Sequence, residues 1–266
     1  MERSRIQTSP EVQVVVHGEV PPDCVEHARK VIGKATLRTV EPVLHARIRL
    51  SQGRDPAVRR SAIAQANLSV NGRPVRAHVA AETMHEAIDL LEDRLVLRLN
   101  RLRETGPARH TGAQGAEPPD WRQASERRHH PEAHRRSGHE PRVVRHKSFS
   151  LARETPEQAV FEMELMDYGF HLFTEAGSGT DSVVYRAGPT GYRLAQARPS
   201  TEPAGSRAVP LTTSRIPAVR LSLTEAEQRL ELLGLPFVFF ADRESRRGNV
   251  LYRRFDGCYG LITPAE

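Results

Sequence analysis

Two stretches near the end of the chain decide its fold, because the second repeats the first. The stretches ELMDYGFHLF (164–173) and SVVYRAGPTGYRL (182–194) return, 67 positions later, as ELLGLPFVFF (231–240) and NVLYRRFDGCYGL (249–261). A unit of about 50 residues buries a small share of its surface, so its apolar face needs a partner. The repeat therefore predicts two tandem modules, so that each module has a candidate partner within the same chain.

Each module shows the pattern of one helix among short strands. The first, 143–197, is expected to have a strand at 143–151, a helix at 157–168 that Thr155 caps, and strands at 170–174, 182–186 and 192–195. The second, 218–266, is expected to have a helix that Thr224 caps and that ends near Leu233, then strands at 237–241, 249–253 and 258–262. A Pro-rich connector, 198–217, joins the two modules.

Aromatic and aliphatic residues of these strands form the predicted interface between the modules. Because they occur in short alternating strands, a place in a core or an interface is favoured over ligand binding. The predicted interface residues are Phe170, Phe173, Val183, Tyr185, Phe237, Phe240, Val250 and Tyr252.

Residues 1–104 predict a separate β-α-β-β-β-α domain. Apolar residues alternate with polar ones at 12–17 and 43–51, and Asn71-Gly72 between two alternating runs, 63–70 and 73–80, indicates a tight hairpin. Pro21-Pro22-Asp23 opens a helix at 24–37, and apolar residues at three- and four-residue steps predict another at 83–104. The whole chain is therefore expected to be of the α+β class.

Positive charge is concentrated in the first half of the chain. Residues 1–104 carry 17 Lys and Arg against 13 Asp and Glu, whereas residues 147–266 carry 14 against 15. On the two helices these cations form stripes, which we expect to merge into one surface for the phosphates of a folded RNA. No aromatic stacking pattern indicates a single-strand binder. The alternative is that these Lys and Arg residues are ordinary surface residues that only keep the helices soluble. The stripes are Lys30, Lys34 and Arg38 on the first helix, and Arg94, Arg98 and Arg101 on the second.

Residues 105–142 are expected to form a flexible basic linker, because they lack periodicity and are rich in Gly, Pro, Arg and His. Four of these histidines raise the alternative of a metal site. Arginines lie between them and no rigid frame holds them, which favours a basic stretch without a metal. The four are His129, His130, His134 and His139.

The residues favour a binding protein over an enzyme. There is no Gly-rich phosphate loop, no metal-ligand spacing and no nucleophile or carboxylate pair in a catalytic context. Cys24 and Cys258 are too few for a disulfide framework or a cysteine-rich zinc site, so both are expected to be reduced thiols. We expect no catalytic residues, no cofactor, no metal and no small-molecule substrate.

No long apolar run predicts a membrane span, and residues 1–10 lack the apolar segment of a signal peptide. The sequence therefore predicts a cytoplasmic protein without a membrane partner.

The repeated stretches resemble the C-terminal domain of long-form ribosome hibernation promoting factors. The resemblance is carried by MELM (163–166), FHLF (170–173), SVVYR (182–186) and NVLYRRFDGCYGLI (249–262). In the first half, MHEAID (84–89) and the Leu- and Arg-rich helix after it resemble the last helix of that family's N-terminal domain. The resemblance covers both ends of the chain and leaves the linkers unmatched.

The resemblance implies an N-terminal domain similar in layout to double-stranded RNA-binding domains. That domain would occupy the decoding region of the small ribosomal subunit and exclude messenger and transfer RNA. The family's basic positions map best onto Arg94 and Arg101, with Lys30 and Lys34 nearby. Two C-terminal domains in one chain are similar to the dormancy- or hypoxia-associated ribosome factors of actinobacteria.

The duplication leaves two arrangements open. If the modules pair within one chain, the surface that would join two ribosomes is occupied, and the protein is expected to act on single ribosomes. Otherwise each module seeks a second molecule. A different class of function also stays open, since basic helices serve DNA as well: a DNA-binding or protein-interaction adaptor that regulates transcription.

Overall fold

The computed structural model describes residues 12–53, 59–104, 142–187, 191–199, 209–254 and 257–265. These residues fall into two compact units, of which the first comprises residues 12–104 together with the short segment Glu164–Asp167. The α+β class is confirmed. No helix in the described ranges is both long and apolar enough to cross a membrane. The linker expected at 105–142 lies outside the described residues except for Arg142.

The first unit is a four-stranded sheet covered on one face by two helices. Its elements are β1 (Val12–His17), α1 (Pro22–Leu37), β2 (Val43–Gln52), β3 (Ala62–Val70), β4 (Arg73–Ala81) and α2 (Met84–Glu104). The strands lie in the order β1-β2-β3-β4, with β1 and β2 parallel and the other pairs antiparallel. Asn71 and Gly72 have φ angles of +50° and +82°, which is the backbone of the tight hairpin that the sequence predicts.

The small side chains of β3 let the helices approach this sheet closely. Ala62, Ala64 and Ala66 alternate with half-exposed residues, and all three are fully buried. α1 packs on β1 and β2, whereas α2 packs on β3 and β4. The core of the unit therefore lies between one face of the sheet and the two helices.

The second unit contains two five-stranded sheets. One has the order β10-β9-β8-β7-β6 and the other β11-β12-β13-β14-β5. A helix packs on each sheet, and the two helices follow equivalent strands of the repeat. The elements are β5 (Val143–Phe149), β6 (Arg153–Glu154), α3 (Pro156–Leu165), β7 (Phe170–Glu175), β8 (Asp181–Ala187), β9 (Gly191–Gln196), β10 (Leu211–Thr213), β11 (Arg220–Leu221), α4 (Leu223–Leu232), β12 (Phe237–Asp242), β13 (Gly248–Arg253) and β14 (Tyr259–Pro264).

The two sheets exchange strands, so neither sheet is built only from the residues of one expected module, 143–197 or 218–266. β5 precedes α3 in the chain but pairs with β14, the last strand of the second repeat. β10, which falls in the expected connector, pairs with β9, the last strand of the first repeat. Both pairings are parallel. Each sheet is therefore completed by a strand that lies next to the other repeat in the sequence.

The two helices begin with the same cap, which corrects one expected position. Thr155 caps α3 as expected, with its hydroxyl 3.3 Å from the backbone nitrogen of Gln158. The cap of α4 is Ser222, not Thr224: its hydroxyl accepts the Glu225 N–H, and its own N–H donates to the Glu225 carboxylate at 2.8 Å. Hydrogen bonds from Ser222 lower the pKa of Glu225. The offset of 67 residues carries Thr155 onto Ser222, so the repeat held this signal.

Replacing Ser222 with alanine is expected to destabilise the second unit by about 1 kcal/mol, because it removes the hydroxyl that accepts the Glu225 N–H and donates to the Glu225 carboxylate at 3.0 Å. The free energy of unfolding from urea titration, followed by circular dichroism, measures the loss. Thr224→Ala is the matched control, since it removes a hydroxyl inside the helix, and its effect should stay within about 0.5 kcal/mol. Equal losses in the two variants would contradict the assignment of the cap.

Candidate functional site

The cations of α1 form an exposed stripe. Lys30 and Lys34 lie on the face of α1 that looks away from the sheet, Arg38 follows four residues later as the C-cap of the helix, and each of the three is exposed to solvent. The buried residues of the helix, among them Ala28 and Ile32, occupy the opposite face. This stripe is therefore free of the hydrophobic core and accessible to a large polyanion.

The arginines of α2 are placed differently from the expectation, because Arg94 and Arg98 are buried. Their exposed fractions are 5% and 0%. The Asp167 carboxylate lies against both: one oxygen accepts from Arg98 Nη2 at 2.6 Å, and the other lies 3.4 Å from Arg94 Nη1. Arg94 also donates to the backbone carbonyl of His78 at 2.7 Å, and the His78 N–H donates to Asp167 at 2.8 Å. Asp167 thus joins α2 to the edge strand β4.

Arg101 extends this contact by one turn of α2. Its Nη1 donates to the Glu164 carboxylate at 2.7 Å, and it keeps a partly exposed side chain. Glu164 and Asp167 both belong to the short segment 164–167 that the first unit includes. Two carboxylates of one segment therefore cover the three arginines that the sequence analysis assigns to RNA.

The two basic stripes do not merge in this structure. Arg94 and Arg98 lie on the side of α2 that faces β4, whereas α1 packs on β1 and β2. The prediction that the two helices lie side by side is correct. The prediction that their stripes form one surface is wrong, because the two stripes face in different directions. Sequence periodicity fixes a stripe on its own helix and leaves its orientation to packing.

Two further cations, Arg47 and Arg49, were not among the predicted RNA contacts. Both are exposed on β2, on the face of the sheet that carries no helix, where Arg47 pairs across the strands with Asn67 and Arg49 with Gln65. The alternation Ala46, Arg47, Ile48, Arg49 in the sequence was the signal that could have found them.

The apolar residues of the two repeats meet in one cluster within the second unit. Val183 and Val250 are fully buried in it, and the ring centroids of Phe170 and Phe237 lie 4.8 Å apart. The Phe170 ring lies 5.7 Å from Tyr252, and the ring of Tyr185, the equivalent of Tyr252, lies 5.4 Å from Phe237. Each contact thus has a counterpart with the two repeats exchanged, as in an isologous dimer interface.

Phe173 and Phe240 differ from the expectation that they belong to this cluster. Phe173 is buried in the core under α3, and Phe240 in the equivalent core under α4. The reason is the alternation of side chains along a strand, since Leu172, next to Phe173, points to the opposite face and joins the shared cluster. Six of the eight expected interface residues are brought together, and these two support their own sheets.

One polar contact breaks the symmetry between the repeats. The Asp181 carboxylate accepts from Arg247 Nε at 2.8 Å and from the backbone N–H of Gly248 at 2.8 Å. The hydrogen bond to Asp181, together with the negative charge of that carboxylate, raises the pKa of Arg247. Asp181 and Gly248 are equivalent positions of the two repeats, because they lie 67 residues apart. The contact therefore joins one position of the first repeat to the same position of the second. A Cβ on Gly248 would lie 2.7 Å from the Asp181 Cβ and 2.9 Å from the Phe239 ring, closer than side chains approach.

The comparisons with known proteins cover nearly the whole chain. Residues 12–105 match the family model described as Sigma 54 modulation protein / S30EA ribosomal protein. Residues 138–194 and 211–261 match the model described as Sigma 54 modulation/S30EA ribosomal protein C terminus.

Two curated relatives are similar over long stretches. A Mycobacterium tuberculosis protein named Dormancy associated translation inhibitor is 35% identical, over 99% of this chain and 92% of its own length. A Picosynechococcus protein named Ribosome hibernation promotion factor is 25% identical, over 51% of this chain and 69% of its own length. Among solved structures, the N-terminal domain of Thermus thermophilus Protein Y is 18% identical, with a TM-score of 0.30, over 36% of this chain and 100% of that one.

Proposed function

The chain belongs to the Sigma 54 modulation protein / S30EA ribosomal protein family, and on that premise we propose that it is a ribosome hibernation factor that inhibits translation in dormancy or stress. The proposal rests on the 35% sequence identity, over nearly the full length of the chain, with a protein named Dormancy associated translation inhibitor. The relative named as a ribosome hibernation promotion factor supports the same role. The protein would act by binding, in the cytoplasm, and without catalysis.

The binding site is the decoding region of the small ribosomal subunit, where the first unit blocks messenger and transfer RNA. Three exposed cations, two on one face of α1 and one at its C-cap, support this placement, because phosphate contacts dominate the affinity of proteins for folded RNA. Arg47 and Arg49 offer further cations on the face of the sheet that carries no helix. These five side chains can contact RNA without any rearrangement of the unit.

Arg94, Arg98 and Arg101 join the RNA interface only after the segment 164–167 leaves them. Asp167 and Glu164 bind their guanidinium groups, so these carboxylates compete with RNA phosphates for the same arginines. The described structure therefore corresponds to a covered state of these arginines. RNA binding and release of the segment are coupled, because the same cations serve both partners.

The second unit pairs its two repeats within one chain, so the protein acts on single ribosomes. The exchanged strands β5 and β10 and the shared apolar cluster support this arrangement. The contact of Asp181 with Gly248 also disfavours pairing between identical repeats, since two first repeats would bring Asp181 against Asp181. A prominent peak of paired ribosomes, after sedimentation of ribosomes saturated with the chain, would contradict this arrangement.

Reversing the charge of the α1 stripe is expected to weaken binding to purified small subunits by about 100-fold at moderate salt. The variant Lys30→Glu, Lys34→Glu and Arg38→Glu removes three phosphate contacts, so the slope of log affinity against log salt should fall by about 3. Co-sedimentation with small subunits at several salt concentrations measures both quantities. The fold should persist, because all three side chains are exposed.

A matched control reverses three exposed arginines of the second unit, Arg193, Arg215 and Arg220, and changes the net charge by the same amount. Its binding should change less than about tenfold, through general electrostatics alone. Unchanged binding by the α1 variant would refute the RNA interface. A preference of the wild-type chain for duplex DNA over small subunits would favour the alternative of a DNA-binding adaptor.

A further inference from the structure

One group of potential metal ligands in the described residues lies where α1 and α2 begin. It consists of Asp23 and Cys24 on α1 and His85 on α2, and one donor atom from each lies within 4.8 Å of the other two. His85 Nε2 lies 3.3 Å from the Asp23 carboxylate and 3.9 Å from the Cys24 sulfur. The sulfur is also 3.4 Å from the other ring nitrogen, Nδ1.

These distances approach those of a tetrahedral metal site. Zinc bonds of about 2.0 to 2.3 Å place the donor atoms of a tetrahedron roughly 3.3 to 3.8 Å apart. Small rotations close the remaining gap, because the side chains of Asp23 and His85 are 66% and 53% exposed and free to turn. Cys24 is only 1% exposed and is held by packing. One rigid ligand and two adjustable ones therefore border a space that opens to solvent.

A second pair of side chains lies beside the group. His27, one turn after Cys24, has its Nε2 2.7 Å from the carboxylate of Asp89, one turn after His85. The imidazole rings of His27 and His85 lie 5.5 Å apart. The two helices thus bring a Cys-x-x-His pair against a His-x-x-x-Asp pair, so that further side chains with metal-binding atoms lie beside the group.

We propose that Asp23, Cys24 and His85 bind a divalent transition metal, with zinc as the ion that best fits one sulfur, one nitrogen and one oxygen donor. The fourth position is left to water. The metal joins the first turn of α1 to the first turn of α2 and so stabilises the first unit, whose α1 carries the exposed basic stripe. The site is independent of ribosome binding, since neither the stripe nor the arginines of α2 supply a ligand.

Cobalt titration of the full-length chain tests the site, because a thiolate bound to Co²⁺ gives a sulfur-to-metal charge-transfer band in the near ultraviolet. We expect this band in the wild type, together with tetrahedral d–d bands, and displacement of both by Zn²⁺. Cys24→Ser should lose the charge-transfer band, and His85→Ala, at an exposed position, should weaken Co²⁺ binding at least about 100-fold. Cys258→Ser, which changes the only other cysteine, should keep the band.

The thiolate band separates this site from any cobalt held by the histidines at 129–139, because a histidine offers only nitrogen as a donor atom. Absence of the band in the wild type, or its persistence in Cys24→Ser, would overturn the proposal. As a second measurement, Zn²⁺ should raise the unfolding temperature of the wild type and of Cys258→Ser but not that of His85→Ala. An equal rise in all three proteins would also refute the site.

Discussion

Replacing Gly248 with aspartate is expected to destabilise the second unit by about 3 to 5 kcal/mol. The new Cβ would lie 2.7 Å from the Asp181 Cβ, and its carboxylate would face that of Asp181 in a buried contact that has one arginine, Arg247, for two negative charges. Urea unfolding of the full chain, followed by circular dichroism, measures the loss. Sedimentation velocity of the variant should also reveal a more extended molecule, because the two repeats separate.

Gly169→Asp is the matched control, since no atom lies within 4 Å of a Cβ at that position and the residue is exposed. Its effect should stay within about 1 kcal/mol. The double variant Asp181→Gly and Gly248→Asp should recover part of the loss, because it returns to one carboxylate and one glycine at the contact, whereas the close approach of the new Cβ to the Phe239 ring remains. If Gly248→Asp and Gly169→Asp unfold at the same urea concentration, the two repeats do not pair through this contact.

Changing Asp167 to asparagine is expected to tighten binding to small ribosomal subunits by up to about 100-fold. The carboxylate engages both Arg94 and Arg98 in a buried site, and removal of one partner from such a contact costs about 3 kcal/mol or more. If the covered state is favoured by that amount, only about 1% of the molecules offer these arginines to RNA, and the apparent affinity is reduced in the same proportion. Asparagine preserves the backbone, because Asp167 has a φ of +51°, a conformation that asparagine tolerates.

Asp93→Asn controls for the change in net charge, since Asp93 is an exposed residue of the same helix, α2. Its effect on affinity should be less than about threefold. Competition between the wild-type chain and each variant for a limiting amount of small subunits gives the ratio directly. Weaker binding by Asp167→Asn than by Asp93→Asn would mean that the arginines of α2 contribute to the folded unit and not to RNA.

Local patterns in the sequence predicted the elements well but not their neighbours. The alternation in β2 and the Asn71-Gly72 hairpin gave the strands of the first unit, because both signals depend on residues close together in the chain. The exchange of β5 and β10 was missed. A period of two residues tells which face of a strand is buried, not which strand lies beside it, and β10 has only three residues, too few for a pattern.

The same limit applies to the candidate site. Steps of four residues predicted that Lys30, Lys34 and Arg38 share one face of a helix; Lys30 and Lys34 do, and Arg38 follows as its C-cap. The burial of Arg94 and Arg98 depends on Asp167, about 70 positions away, and no local pattern connects them. The sequence repeat shows that Asp181 in the first copy is replaced by Gly248 in the second. Only the structure shows that these two positions contact each other, and this contact explains why they differ.

The exchange of strands changes how the amount of protein controls its action. A molecule with one repeat would have to meet a second copy before either sheet was complete, so its paired form would disappear on dilution and would vary with the square of the copy number. Here the acceptor of β5 is always attached to its donor. With pairing inside the chain, each molecule is complete as soon as it folds, and under the proposed function the number of ribosomes that it inhibits would be proportional to the number of molecules, even when a cell makes few of them.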